Sequence, residues 1–285
     1  MKKRYILVIV SILLLSGCAF FFWITQVDPD TKYYPPKGEV KNVAIMIFGG
    51  AEGGLPNYYD TKSFTAKGYP CFIVGYFKTE NTPDYLDMIP LEYFEDAIKT
   101  FRSKPEVGNK KIVVWGTSKG GELALLLASR YKQIEGVIAR SPSSVVFQGI
   151  NGISSSWSYK GKPVPFVPTQ NMFTNNSPVE GYELALKQTK AVEEATIKVE
   201  NINGPILLLT GKKDTLWPAT QMCEMIIQRL DKKGFLHWYR HFAYEDAGHT
   251  LNEGLLMGGT KAGNKNARED SKQRIMDFLN KLSGD

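Results

Sequence analysis

The segment Ile112-Val113-Val114-Trp115-Gly116-Thr117-Ser118-Lys119-Gly120-Gly121 runs directly into Glu122-Leu123-Ala124-Leu125-Leu126-Leu127-Ala128-Ser129. A short, β-branched apolar run is followed by a glycine-flanked serine and then by a longer run that is apolar nearly all round. The first run reads as a buried strand and the last as a helix at the centre of a fold. The chain must therefore reverse within G-x-S-x-G, and such a turn needs small residues where its two arms pass each other. Gly116 and Gly120 supply them and lift the Ser118 hydroxyl clear of the sheet. A glycine-rich turn carrying a helix N-cap serine is the plainer alternative, and the flanking strand and helix favour a nucleophile.

The rest of the body keeps the same alternation. Val43–Phe48, Cys71–Val74, Ile112–Trp115, Gly136–Ala139 and Ile206–Leu209 are strand candidates without a polar face, as strands covered by helices on both sides must be. Between them Leu91, Phe94, Ile98 and Phe101 fall at helical spacing, leaving Glu92, Glu95 and Lys99 outward, and Ile275, Phe278, Leu279 and Leu282 repeat the pattern near the C-terminus. Strands alternating with helices predict an α/β domain over 43–285 with a mostly parallel sheet and helices on both faces. At 285 residues the chain is long enough for one such core. Residues 28–42, with Pro29, Pro35, Pro36 and Gly38, read as an irregular linker. Residues 147–180 break the rhythm with glycines, prolines and aromatics, which predicts either a cap inserted above the sheet or a surface excursion.

A serine hydroxyl is a poor nucleophile at neutral pH and needs a base that is itself oriented by a carboxylate. A G-x-S-x-G turn between strand and helix is the mark of the α/β-hydrolase fold, in which the acid and then the histidine follow the serine along the chain. Three histidines are present. His237 and His241 lie in Leu236–Phe242, which reads as a strand, whereas His249 follows in a loop after Glu245-Asp246-Ala247-Gly248. Asp214 sits in the turn after the Ile206–Leu209 strand, at the end where parallel strands assemble a site. Asp246 is too close to His249 in sequence and reads as a surface turn. Ser118, Asp214 and His249 are thus the expected triad. The oxyanion donors expected are the Lys119 N–H and one from the glycine-rich loop Gly49–Gly54, at Gly50 or Ala51. No metal cluster, phosphate loop or dinucleotide fingerprint occurs, and acyl transfer through serine requires no cofactor.

The run Gly116-Thr117-Ser118-Lys119-Gly120-Gly121-Glu122-Leu123-Ala124, with Ser141-Pro142-Ser143-Ser144, Asn203-Gly204-Pro205, Asp214, Trp217-Pro218 and Ala247-Gly248-His249, resembles the catalytic domain of acyl-CoA thioester hydrolases and bile acid-CoA:amino acid N-acyltransferases. The likeness extends from about Val43 to Leu282. It implies the same three residues, Ser118, Asp214 and His249, as nucleophile, acid and base. The amino-acid-conjugating members use cysteine, so the serine here implies hydrolysis of an acyl ester or thioester. Residues 28–42 are too few to hold the N-terminal β-sandwich of the animal members. The alternatives to a thioesterase are a carboxylesterase resembling dienelactone hydrolases and a membrane-anchored binding or scaffold protein that keeps the fold.

Lys2-Lys3-Arg4 followed by uncharged residues from Tyr5 to Thr25 has the order of a secretory signal. Leu15-Ser16-Gly17-Cys18 resembles a bacterial lipobox, with Cys18 the residue to be lipidated. The 21 uncharged residues could equally span a bilayer as an uncleaved anchor. Either way the positive N-terminus stays inside and predicts an extracytoplasmic domain after residue 27, tethered to the membrane. There it would meet acyl esters at a membrane surface and not acyl-CoA, a cytosolic metabolite. Removing Lys2, Lys3 and Arg4 from a net charge of +6 leaves +3, with no basic run interleaved with aromatics, so no nucleic-acid partner is implied. Cys71 and Cys223 read as buried thiols, at spacings that match no metal or disulfide motif.

Overall fold

The computed structural model describes residues 29–57, 59–150, 152–169 and 177–284. The signal, anchor and lipidation expectations for residues 1–27, Cys18 included, lie outside these. Among the described residues no helix is long and apolar enough to cross a membrane. In chain order the strands are β1 (Thr31–Tyr34), β2 (Val43–Phe48), β3 (Cys71–Val74), β4 (Ile89–Pro90), β5 (Lys111–Thr117), β6 (Ile134–Arg140), β7 (Trp157–Tyr159), β8 (Lys162–Pro163), β9 (Ile206–Gly211) and β10 (Tyr239–Tyr244). The helices are α1 (Thr61–Ala66), α2 (Leu91–Arg102), α3 (Lys119–Arg130), α4 (Pro178–Ala185), α5 (Thr189–Ala195), α6 (Ala219–Lys232) and α7 (Lys261–Ser283).

Seven strands form one sheet in the order β1-β3-β2-β5-β6-β9-β10, parallel throughout except for β1 against β3. The uninterrupted apolar runs are explained by what lies on each side. In β2, Ala44, Met46 and Phe48 enter one core with α2, α3 and α6, while Val43, Ile45 and Ile47 enter a second core beneath α1 and α7. The same split divides Ile112 and Val114 from Val113 and Trp115 in β5. A period of two is present, but both phases are apolar because both faces are covered.

Three expectations change. Thr31–Tyr34, read as linker, is an edge strand paired with Cys71–Val74. The last strand begins at Tyr239, so Leu236, His237 and Trp238 precede it; Leu236 is 96% exposed, and its apolar character marks no strand. The 147–180 segment is no plain surface excursion in its described part. Its β7 and β8 join β4 in a small three-stranded sheet, and Phe147, Trp157 and Val167 are buried. Residues 151 and 170–176 lie outside the described residues.

Candidate active site

Ser118 stands between β5 and α3 with φ 57° and ψ −123°, a left-handed conformation that costs a non-glycine residue roughly 1–3 kcal/mol. Tight contacts hold it there. A Cβ on Gly116 would overlap the Gly120 carbonyl, and one on Gly120 would overlap the Gly49 carbonyl, so both glycines are required for the turn to pass under the loop after β2. The Ser118 N–H donates to the Arg140 carbonyl at 2.8 Å, and the Ser118 carbonyl accepts from Gly121 and Glu122.

Asp214 and His249 come together at the same end of the sheet. The Asp214 carboxylate (Oδ2) lies 2.7 Å from His249 Nδ1, and both side chains are almost wholly buried. Its other oxygen accepts from the Leu216 and Trp217 N–H groups at 2.8 and 3.2 Å, which fixes the carboxylate at the turn. A carboxylate can only accept, so Nδ1 is the donor of this pair, and in the neutral imidazole Nε2 is then the acceptor. His249 Nε2 is buried and has no hydrogen-bond partner among the described residues.

Two residues quoted above only for their likeness to a family turn out to support this histidine. Ser141, at the C-terminal end of β6 with φ 43°, donates its hydroxyl to the His249 carbonyl at 2.7 Å. Its own carbonyl accepts from Trp217 Nε1 at 3.0 Å, and the Trp217 ring meets His249 edge-on at 5.9 Å. Their signal in the sequence was position alone, just past a strand end and just past the acid. Phe147 and Tyr182 continue this aromatic cluster, so the 147–180 segment packs next to the residues that flank His249.

The other histidines are elsewhere. His237 is exposed ahead of β10. His241, within β10, bonds Thr210 Oγ1 at 2.7 Å, and burial pushes its imidazole down to about 4. Asp246 lies in an exposed turn.

The glycine-rich loop reaches the serine, since a Cβ on Gly50 would come within 3.2 Å of Ser118 Cβ. The Gly50 N–H, however, donates to Glu52 Oε1 at 2.8 Å, an engagement that the sequence did not announce. Among the described residues the Ala51 N–H has no hydrogen-bond acceptor. Lys119 opens α3, where its N–H has no intrahelical acceptor. Its side chain turns inward: Nζ lies 3.0 Å from both oxygens of Glu122 and 2.8 Å from Ser156 Oγ, while Trp157 Nε1 donates to Glu122 Oε1 at 2.9 Å. Burial pushes the Glu122 carboxyl up and the Lys119 ammonium down, and their mutual attraction opposes both shifts. Among the described residues no three His, Cys, Asp or Glu side chains are grouped to hold a metal ion.

Comparison with known proteins gives a consistent result. The family described as "BAAT / Acyl-CoA thioester hydrolase C terminal" matches residues 89–285. Mitochondrial acyl-coenzyme A thioesterase 2 of Mus musculus is 26% identical over 273 residues, covering 89% of this chain and 58% of that protein. Acyl-coenzyme A thioesterase 1 of Homo sapiens is 25% identical over 284 residues, covering 89% of this chain and 63% of the relative. The chain thus spans about three fifths of the length of the relatives it matches. Among solved structures, a puromycin-hydrolyzing peptidase of Mycobacterium tuberculosis superposes with a TM-score of 0.60 at 16% identity, over 89% of this chain and 37% of its own. A putative dienelactone hydrolase from Klebsiella pneumoniae gives 0.56 at 15% identity, over 87% and 91%. These neighbours establish the α/β-hydrolase fold.

Proposed function

The chain belongs to the BAAT / acyl-CoA thioester hydrolase C-terminal family, and on that premise we propose that it is a serine hydrolase cleaving an acyl ester or thioester through an acyl-enzyme on Ser118. The observation that carries this reading is the buried Asp214–His249 pair at 2.7 Å, at the sheet end where Ser118 is held in a left-handed turn.

In the first step Ser118 Oγ attacks the acyl carbon while His249 Nε2 takes its proton. Asp214 keeps Nδ1 protonated and steadies the imidazolium. The negative oxygen of the tetrahedral intermediate is received by the Lys119 N–H and by the loop after β2, through Ala51, or through Gly50 once Glu52 releases it. His249 returns the proton to the departing alcohol or thiol, and water then cleaves the acyl-enzyme by the same route. No cofactor enters.

We further infer that residues 1–27 tether the domain outside the cytoplasm, as a lipoprotein through Cys18 or as a single-pass anchor. Support comes from Lys2, Lys3 and Arg4 ahead of the apolar run. That placement favours an acyl ester or thioester at the membrane surface over acyl-CoA. A carboxylesterase activity is supported by the dienelactone hydrolase neighbour, and the two substrate classes are separated by comparing turnover of acyl-CoA with that of p-nitrophenyl esters.

The test of the chemistry is labelling by a fluorophosphonate. Wild-type protein should be labelled on Ser118 and Ser118→Ala should not. A wild-type protein that resists the probe and turns over neither substrate class would leave a binding or scaffold protein as the answer.

A further inference from the structure

Both candidate oxyanion donors of the loop after β2, the Gly50 and Ala51 N–H groups, rest on one buried support. Tyr76, two residues past β3, is buried, and its hydroxyl lies 2.7 Å from the Gly49 carbonyl and 3.2 Å from the Gly50 carbonyl. A trans peptide points its C=O and the following N–H in opposite directions, and no cis bond occurs among the described residues. Holding those two carbonyls on the Tyr76 side therefore turns the N–H groups of Gly50 and Ala51 the other way. Gly50 itself packs against Ser118.

The ring that carries this hydroxyl is itself fixed. It packs against Phe77, Phe94 and Trp157 with centroids 5.3, 5.7 and 5.6 Å away. Trp157 in turn donates its indole N–H to Glu122, the partner of Lys119. A single packed unit thus reaches from the loop after β2 to the first turn of α3. Burial also pushes the Tyr76 phenol well above its ordinary range, so the group stays protonated and remains a donor.

We propose that Tyr76 is the positioning residue of the oxyanion site, aiming the Ala51 N–H, and the Gly50 N–H once Glu52 releases it, toward the acyl oxygen of Ser118's substrate. It touches no reacting atom and acts through the loop backbone. The inference rests on the nucleophile reading above and adds a residue to it.

The experiment compares wild type with Tyr76→Phe, which keeps the ring and removes only the hydroxyl. Active sites are first counted by stoichiometric fluorophosphonate labelling, so that any loss of folded protein is removed from the kinetics. Per labelled site, kcat should fall about 10- to 100-fold, less than or comparable to the loss of a direct oxyanion donor, with KM within about twofold. Inhibition by a phenylboronic acid, whose adduct with the serine is tetrahedral, should weaken by a factor similar to the fall in kcat/KM. A kcat per site within about twofold of wild type, or a loss confined to KM, overturns the role of Tyr76 while leaving Ser118 in place. Failure of the wild-type protein to be labelled at Ser118 overturns both.

Discussion

The Lys119–Glu122 pair offers a direct test of how the turn at Ser118 is held. Lys119→Met keeps most of the aliphatic stem, so apolar packing changes little and the electrostatic effect decides the outcome. What remains is the Glu122 carboxylate, fully buried, with the Trp157 indole at 2.9 Å and the more distant Phe147 N–H at 3.4 Å as its donors. Removing one partner of a buried ion pair costs about 3–5 kcal/mol, a large fraction of the roughly 5–15 kcal/mol that stabilises a typical domain. At about 2–4 °C per kcal/mol for a domain approaching this size, Tm should fall by roughly 6–20 °C at pH 7. The pH dependence has a definite sign. Burial raises the Glu122 carboxyl above its unfolded value, and without the ammonium only the Trp157 and Phe147 donors oppose that shift. A group so raised stabilises the fold below its unfolded pKa and loses that contribution as pH rises through the folded one. The gap in Tm between Lys119→Met and wild type should therefore narrow from pH 8 to pH 5, as followed by circular dichroism melts. Pairing the change with Glu122→Leu should recover much of the loss, because a buried ion pair can be replaced by apolar groups at little net cost. A Tm for Lys119→Met within about 2 °C of wild type at pH 7, or a gap that widens in acid, would refute the reasoning.

Two further outcomes follow from the same geometry. His241 is pushed down to about 4 by burial, so between its ordinary value near 6.5 and that point the unfolded chain takes up a proton that the folded chain does not. Stability should fall over this window by at most ~3 kcal/mol, and urea melts at pH 7 and pH 4.5 should show a smaller fall for His241→Gln. Gly120→Ala places a methyl group against the Gly49 and Phe48 carbonyls; soluble protein recovered from it should label with fluorophosphonate at least tenfold more slowly than wild type, and an unchanged rate would mean that the loop yields.

The features legible in the sequence were those whose cause is local. The central strands announce themselves because both of their faces are buried, so no polar residue interrupts Val43–Phe48 or Ile206–Leu209. The edge strand Thr31–Tyr34 has no such signal. It is polar in part, flanked by prolines, and its partners lie some forty residues on at Cys71–Val74. Leu236-His237-Trp238 errs the other way, apolar in letters but outside the sheet, because strand β10 begins only where the chain meets Ile206. Within the candidate site, the strand-to-helix turn at Ser118 was legible from its immediate neighbours, and the pairing of Asp214 with His249 from the chain order expected of this fold. The Lys119 side chain was not. A lysine in a glycine-rich turn reads as solvated, whereas this one is 1% exposed and meets Ser156, 37 residues away.

That distant contact bears on why a costly ion pair lies in this core at all. A left-handed serine persists only if both arms of its turn are held. The incoming arm is held by β5, paired with β2 on one side and β6 on the other. The outgoing arm is the first turn of α3, whose Lys119 and Gly120 N–H groups have no helical acceptor and whose glycines offer no side chains to pack. Lys119 and Glu122 are the first two side chains available after Ser118. Locked to each other, and through Ser156 and Trp157 to the segment beyond β6, they give that turn a fixed neighbour. Apolar side chains at the two positions could match the burial, but they would supply neither the hydrogen bonds to Ser156 and Trp157 nor the register those bonds impose. Replacing the pair should then leave more stability than activity, a separation that a purely structural ion pair would not produce.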